Sequence, residues 1–271
     1  MKKLLLSAVF ATSAFALAAC GGGEEEKTLK IGASNVPHAE ILEEAQPLLE
    51  EKGIELDIVP FQDYILPNKS LASEEIDANY FQHIPYLESQ MAENKDYDFV
   101  NAGGIHIEPI GVYSKKHKSL EDIPEGGTII MSNSVADHGR MLSLLEKEGL
   151  ITIKEGVDKT TATVDDIDEN KKNLKFKADV EASILPQAYN NDEGDAVLIN
   201  TNYAIGAGLN PQKDAIALEG SDSPYVNIIT VRKGDEKNEE IKALVEVLHS
   251  EEIQKFIEEK YEGAVVPVDG K

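Results

Sequence analysis

Residues 77–88, DANYFQHIPYLE, crowd Asn79, Tyr80, Phe81, His83 and Tyr86 into eight positions around Pro85, in a chain with 9 Tyr, 7 Phe and no Trp. Rings with polar tips and one imidazole can stack on and hydrogen-bond to a ligand; the plainer alternative is a stripe of core side chains. A single stripe does not account for all of them, because Tyr80 and Phe81 are adjacent and cannot share one face of an element. Three further residues stand at the ends of strand-like runs or inside one. Arg140 opens a helical stretch after GTIIMS, Asn202 follows DAVLIN, and Asn227 lies within PYVNIITVR. Taken singly, each reads as a paired surface arginine or a turn residue. Converging on one cleft, they would make a binding site.

The residues needed for bond-breaking chemistry are missing. The chain has no G-x-S-x-G, no H-E-x-x-H and no Cys–His pair, and Ser132 or Ser134 near His138 is only proximity in sequence. A divalent metal could be held by some of His38, His83, His106 and His138 with nearby carboxylates. No two of these histidines show ligand-like spacing, however, so neither metal nor cofactor is expected.

The elements that must position these residues alternate. Strand-like TLKIGAS (28–34) precedes a helical stretch with Ile41, Leu42, Ala45, Leu48 and Leu49 at helical spacing; Pro47 should kink or split it and Gly53 suits its cap. IELDIVPF (54–61) alternates with period two, and FVNAGGIHIEPIGVYS reads as two short strands around Gly103 and Gly104. The order then repeats: GTIIMS, a helix ending near Gly149, buried DAVLIN, PYVNIITVR, and a long C-terminal helical region over 238–261. Residues 151–173 are weakly patterned and peripheral. Alternation of this kind predicts an α/β protein of mostly parallel sheets, with two sets of similar size suggesting two lobes and ligands bound beyond the carboxyl ends of strands.

The N-terminus sets the compartment. Lys2 and Lys3 precede an apolar run from Leu4 to Ala19, a secretory leader too short to span a bilayer as a helix of roughly 20 residues. Cys20 is the only cysteine, and LAAC at the end of that run resembles the lipobox of bacterial lipoproteins. That resemblance implies cleavage after residue 19, diacylation of Cys20 and stable anchoring by two acyl chains. Residues 20–28, with GGGEEEKT, read as a flexible tether. The formal charge of −24, about −26 once Lys2 and Lys3 leave with the leader, repels phosphate backbones and excludes nucleic acid as a partner.

IGASNVPHAEIL, DANYFQHIPYLE, HIEPIGVYSKK, HGRMLSLLEKEGLI, INTNYAIGAGL and SPYVNIITVR, in that order from residue 31 to 232, resemble the NlpA/MetQ family, the substrate-binding lipoproteins of methionine ABC importers. The resemblance implies a two-lobed, type II-like periplasmic-binding-protein fold with two crossover strands, near Gly111–Ser114 and Pro224–Thr230. Lobe 1 would comprise 29–112 plus 228–271 and lobe 2 113–227, with the ligand cleft between them. It implies a monomer, lipid-anchored on the extracytoplasmic face of the cell membrane, that captures L-methionine or a related amino acid or short peptide for a cognate permease and ATPase. Tyr80, Phe81, His83 and Tyr86, with Phe61 and Tyr64, would embrace the thioether, each sulfur–ring contact worth about 0.3–1.5 kcal/mol. Arg140 would take the carboxylate, and Asn202 and Asn227 the amino and carboxylate groups. The loop before the arginine departs from the family pattern: Ser132, Ser134 and Val135 replace Pro, Asp and Pro, and Asp137 stands where Asn is expected. A carboxylate there could receive a second positive group, as in a peptide ligand, or be a solvated helix-start residue.

Overall fold

The computed structural model describes residues 27–220 and 222–269, so the leader, Cys20 and most of the tether lie outside the described residues. The chain builds two mixed sheets. The first has six strands, in the order Val266–Pro267, Phe99–Ile107, Val226–Arg232, Ala78–His83, Lys27–Ser34 and Ile54–Phe61. The second has five, in the order Ala217–Leu218, Gly111–Tyr113, Ala196–Ile199, Thr128–Ser132 and Lys175–Val180. The βαβ connections give parallel pairs, such as Lys27–Ser34 with Ile54–Phe61 and Thr128–Ser132 with Ala196–Ile199. Strands next to the passages between sheets run against them: Val226–Arg232 is antiparallel to both of its neighbours. The expected predominance of parallel pairing therefore gives way to a mixture, because a strand re-entering a sheet from the other side need not follow a crossover helix.

The chain passes between sheets twice, at 108–110 and at 219–225. Gly111–Tyr113 pairs wholly within the second sheet and Val226–Arg232 within the first, so both are sheet strands flanking the passages. Each sheet has its own core. Ile41, Leu42, Ala45 and Leu49 of helix Glu40–Glu50 bury against Ile31, Ala33 and the C-terminal helices. Met141, Leu142, Leu144 and Leu145 of helix Val135–Lys147 bury against Ile129, Met131 and Leu198. Each of these Ile, Leu and Met side chains contributes about 1.5–3 kcal/mol.

The structure gives three of these local expectations their detail. Helix Glu40–Glu50 runs through Pro47 as one element. Phe99–Ile107 is a single strand across Gly103 and Gly104, which tolerate register shifts where it meets Val226–Arg232. The C-terminal region is two helices, Glu239–Leu248 and Glu251–Tyr261, the second capped by the Ser250 hydroxyl, which accepts from the Ile253 N–H. Residues 151–173 contain a peripheral hairpin of Ile151–Ile153 with Ile167–Asn170.

Helix Val135–Lys147 is held against the loop at 159–160 through Gly139. A Cβ there would lie 2.1 Å from the Lys159 carbonyl oxygen and 2.9 Å from Thr160 carbonyl carbon. Backbone cannot rotate away as a side chain can, so Gly139→Ala should cost about 1–3 kcal/mol. The thermal midpoint should fall by about 2–4 °C for each of those kcal/mol. A Tm unchanged from the parent would show that the helix moves freely.

Candidate functional site

Where the two passages meet the strand ends, a cleft of about 380 Å³ opens between the sheets. Strand Ala78–His83 supplies its first wall. Ile228 pairs with Gln82 and Ile229 with Tyr80, so Phe81 is an unpaired bulge residue. Bulges re-aim side chains, and this one sends Phe81 into the cleft. Its neighbour Tyr80 turns into the first core, wholly buried. Phe81, Tyr86 and Tyr64 form a box with ring centroids 5.9–6.1 Å apart, floored by Ala136. The Tyr86 hydroxyl donates to the Tyr64 carbonyl at 2.8 Å, which fixes the corner.

The polar half of the cleft is prearranged. His83 Nδ1 accepts from the Tyr86 backbone N–H at 3.1 Å, which caps helix Ile84–Glu93 and leaves the proton on Nε2. Nε2 therefore donates to Asp137 Oδ1 at 3.0 Å, and Asn200 donates to Asp137 Oδ2 at 3.2 Å. Burial would push the Asp137 carboxyl up, but the His83 hydrogen bond and the nearby charges outweigh it and hold it at about 2. Both its oxygens are thus taken. Asp137 binds the two sides of the cleft together, rather than lying solvated at the helix start.

Arg140 follows Asp137 by three residues and is 4 % exposed. Its Nε donates to Glu219 Oε2 at 3.0 Å and its Nη2 pairs with the same oxygen. Nη2 also donates to the Glu108 carbonyl at 2.6 Å, and the guanidinium stacks over Tyr225 at 4.7 Å. One edge of the planar fork is thereby fixed by Glu219 on the second passage. Nη1, 3.9 Å from Asp137, is the edge left for a ligand. Tyr64 donates to Asn202 Oδ1 at 2.6 Å, and His38 Nε2 lies 3.1 Å from Asn227 Oδ1. Both amides are thereby held at the cleft wall through their carbonyl oxygens.

Of the residues singled out in the sequence, Tyr64, Phe81, His83, Tyr86, Arg140, Asn202 and Asn227 line this cleft. Tyr80 and Phe61 do not. Tyr80 faces His38 and His106 in the core. Phe61 lies over Gly32 and Ile76, beside a separate hollow. His138 Nε2 donates to the Ser132 carbonyl at 2.8 Å, so no serine hydroxyl is paired with this imidazole.

Sequence reading missed Glu108, Glu219 and Asn200. Glu108 carried a signal: a carboxylate in HIEPIG, flanked by apolar residues. It also overturns the argument from histidine spacing. The fold gathers His38, His106 and Glu108, all buried, with His106 Nε2 at 2.8 Å and His38 Nε2 at 3.3 Å from Glu108 Oε1. Tyr80 closes the chain on His106 Nδ1. The arrangement does not suit a metal well, because His38 Nδ1 is buried without the hydrogen-bond partner that metal-bound imidazoles have.

A scan against protein families matches the chain to the NlpA lipoprotein family over residues 29–269. The methionine-binding lipoprotein MetQ of Bacillus subtilis (strain 168) is 55 % identical over 99 % of both chains. A crystal structure of a putative methionine-binding lipoprotein from Bacillus subtilis is 56 % identical, with a TM-score of 0.88 over 90 % of this chain and 98 % of that one. A nutrient binding protein from Burkholderia cenocepacia bound to methionine is 42 % identical, with a TM-score of 0.83 over 88 % and 99 %.

Burial holds His38 at about 4 and His106 at about 3, well below the ordinary 6.5. The unfolded chain takes up these protons near pH 6.5 while the folded chain refuses them. Their stabilising contribution is complete above pH 6.5 and is lost as pH falls toward 4, at about 1.4 kcal/mol per pH unit for each histidine. The melting temperature should therefore drop between pH 6.5 and 4.5. His106→Phe should melt lower at pH 7.5 but fall less steeply on acidification; an equal slope would contradict the assignment.

Proposed function

The chain belongs to the NlpA lipoprotein family, and from that footing we propose that it is an extracytoplasmic, lipid-anchored solute-binding protein that captures methionine for an ABC importer. The observation that carries this reading is the cleft itself. An aromatic box stands at one end, with Arg140 and the amides of Asn202 and Asn227 at the other. That division matches an amino acid with an apolar, polarizable side chain and a carboxylate. The names of the B. subtilis and B. cenocepacia relatives support the same ligand.

The role is capture rather than chemistry. We assign ligand contact to Tyr64, Phe81, His83, Tyr86, Arg140, Asn202 and Asn227, and support to Tyr80 and Phe61. The proposed lobes are those expected from the sequence, 29–112 with 228–271 and 113–227, each boundary moved by a few residues so that Gly111–Tyr113 and Val226–Arg232 stay whole. Closure about the passages at 108–110 and 219–225 would present one joined surface to a permease and its ATPase. Diacylated Cys20 would hold the monomer to the outer face of the cell membrane.

Calorimetric titration tests this on protein lacking residues 1–20, stripped of ligand by unfolding and refolding. L-methionine should bind 1:1 at micromolar affinity or tighter, and Arg140→Ala should weaken it by at least about 100-fold, the cost of losing a charged hydrogen-bonding partner. D-methionine and glycyl-methionine run beside it. Heat from the dipeptide and none from L-methionine would show that the altered loop at 132–137 has redirected specificity.

A further inference from the structure

Arg140 is paired with two carboxylates and hydrogen-bonds to only one of them. Asp137, three residues earlier on the same helix, lies 3.9 Å from Nη1, beyond hydrogen-bond reach, with its oxygens taken by His83 and Asn200. Glu219 Oε2 accepts from both Nε and Nη2. Glu108, a further charge neighbour, meets the guanidinium through its backbone carbonyl. Glu219 is itself held at several points. Its Oε2 also accepts the Ile110 N–H of the first passage at 3.0 Å, and its Oε1 accepts the Ser223 hydroxyl of the second at 2.9 Å. The Glu219 backbone N–H donates to the Ile110 carbonyl at 3.0 Å, which ties one passage to the other beside the ion pair. The Glu219 side chain is 13 % exposed, so solvent ions screen the pair weakly. A planar guanidinium fixed along Nε and Nη2 has one direction left for Nη1.

We propose, resting on the methionine reading above, that Glu219 is a positioning residue for Arg140: anchored to both passages, it holds Nε and Nη2 so that Nη1 stays available for the ligand's carboxylate. Glu219 does not line the cleft, so it acts through the arginine and not on the ligand. Its charge matters as well as its hydrogen bonds. A guanidinium released by Glu219 keeps Asp137 as its ion-pair partner among the described residues, on the Nη1 side. Turning to Asp137 would spend the edge that the ligand needs. Methionine's side chain meets the aromatic box instead, so the effect falls on the carboxylate alone.

The test titrates L-methionine and L-methioninol, in which CH2OH replaces the carboxylate, into wild type and Glu219→Gln. Gln keeps the length and one acceptor oxygen but not the charge. Wild type should prefer methionine. Glu219→Gln should cut that preference by about 10- to 100-fold, the range for a hydrogen bond to a charged group, by weakening methionine while methioninol binds as before. A merely structural role would weaken both ligands and leave their ratio intact, which overturns the assignment. If methioninol binds too weakly to titrate, a double-mutant cycle decides. Adding Glu219→Gln to Arg140→Ala should cost methionine no further affinity, because the group being positioned is gone; additive losses would show that Glu219 acts apart from Arg140. If the Gln variant fails to fold by circular dichroism, Glu219→Asp keeps the charge but withdraws it by one methylene, and the preference should fall in the same direction. Wild type that binds no L-methionine would refute the methionine reading itself, whereas normal binding with an unchanged ratio in Glu219→Gln overturns only the role of Glu219.

Discussion

Arg140, Asp137 and Glu108 are almost fully withdrawn from water, and charge in that setting has to be held by hydrogen bonds made in advance. The architecture around the cleft follows from that requirement. Glu108 and Glu219 lie on the two passages between sheets, so the points where the chain crosses also supply the carboxylates. His83 caps a helix through one ring nitrogen and so turns the other toward Asp137. The bulge at Phe81 separates a core tyrosine from a cleft phenylalanine. Groups held in place by such bonds are preorganised, and preorganisation lowers the entropic cost of binding.

The two sides of the cleft are already joined. His83–Asp137 and Tyr64–Asn202 are hydrogen bonds between residues from the first-sheet and second-sheet portions of the chain, and Tyr203 donates across to the Gln62 carbonyl at 3.1 Å. The buried one, His83–Asp137, fixes geometry more than it adds stability. They set the separation of the aromatic box from the guanidinium, and hence the length of side chain that fits.

Most of the fold was legible because hydrophobic period dominates local structure. Ile41, Leu42, Ala45 and Leu49 identified their helix, and DAVLIN its strand. Strand direction was not legible: whether a strand re-enters parallel or antiparallel depends on which passage precedes it. In the site, residue type pointed to Arg140, Phe81 and Tyr86, which the fold brings to the cleft. It failed for Tyr80, whose aim depends on pleat and bulge, and for Phe61, which covers Gly32. Glu108 went unnoticed because its importance depends on His38 and His106, about 70 residues apart in sequence and brought together by the first sheet.

The most direct test of this account is a crystal structure of the refolded protein with L-methionine. The thioether should lie within the box of Tyr64, Phe81 and Tyr86 and the carboxylate on Arg140. A ligand in the opposite sense, with its carboxylate away from Arg140, or one lodged in the hollow beside Phe61, would contradict the claim that these buried charges define the site.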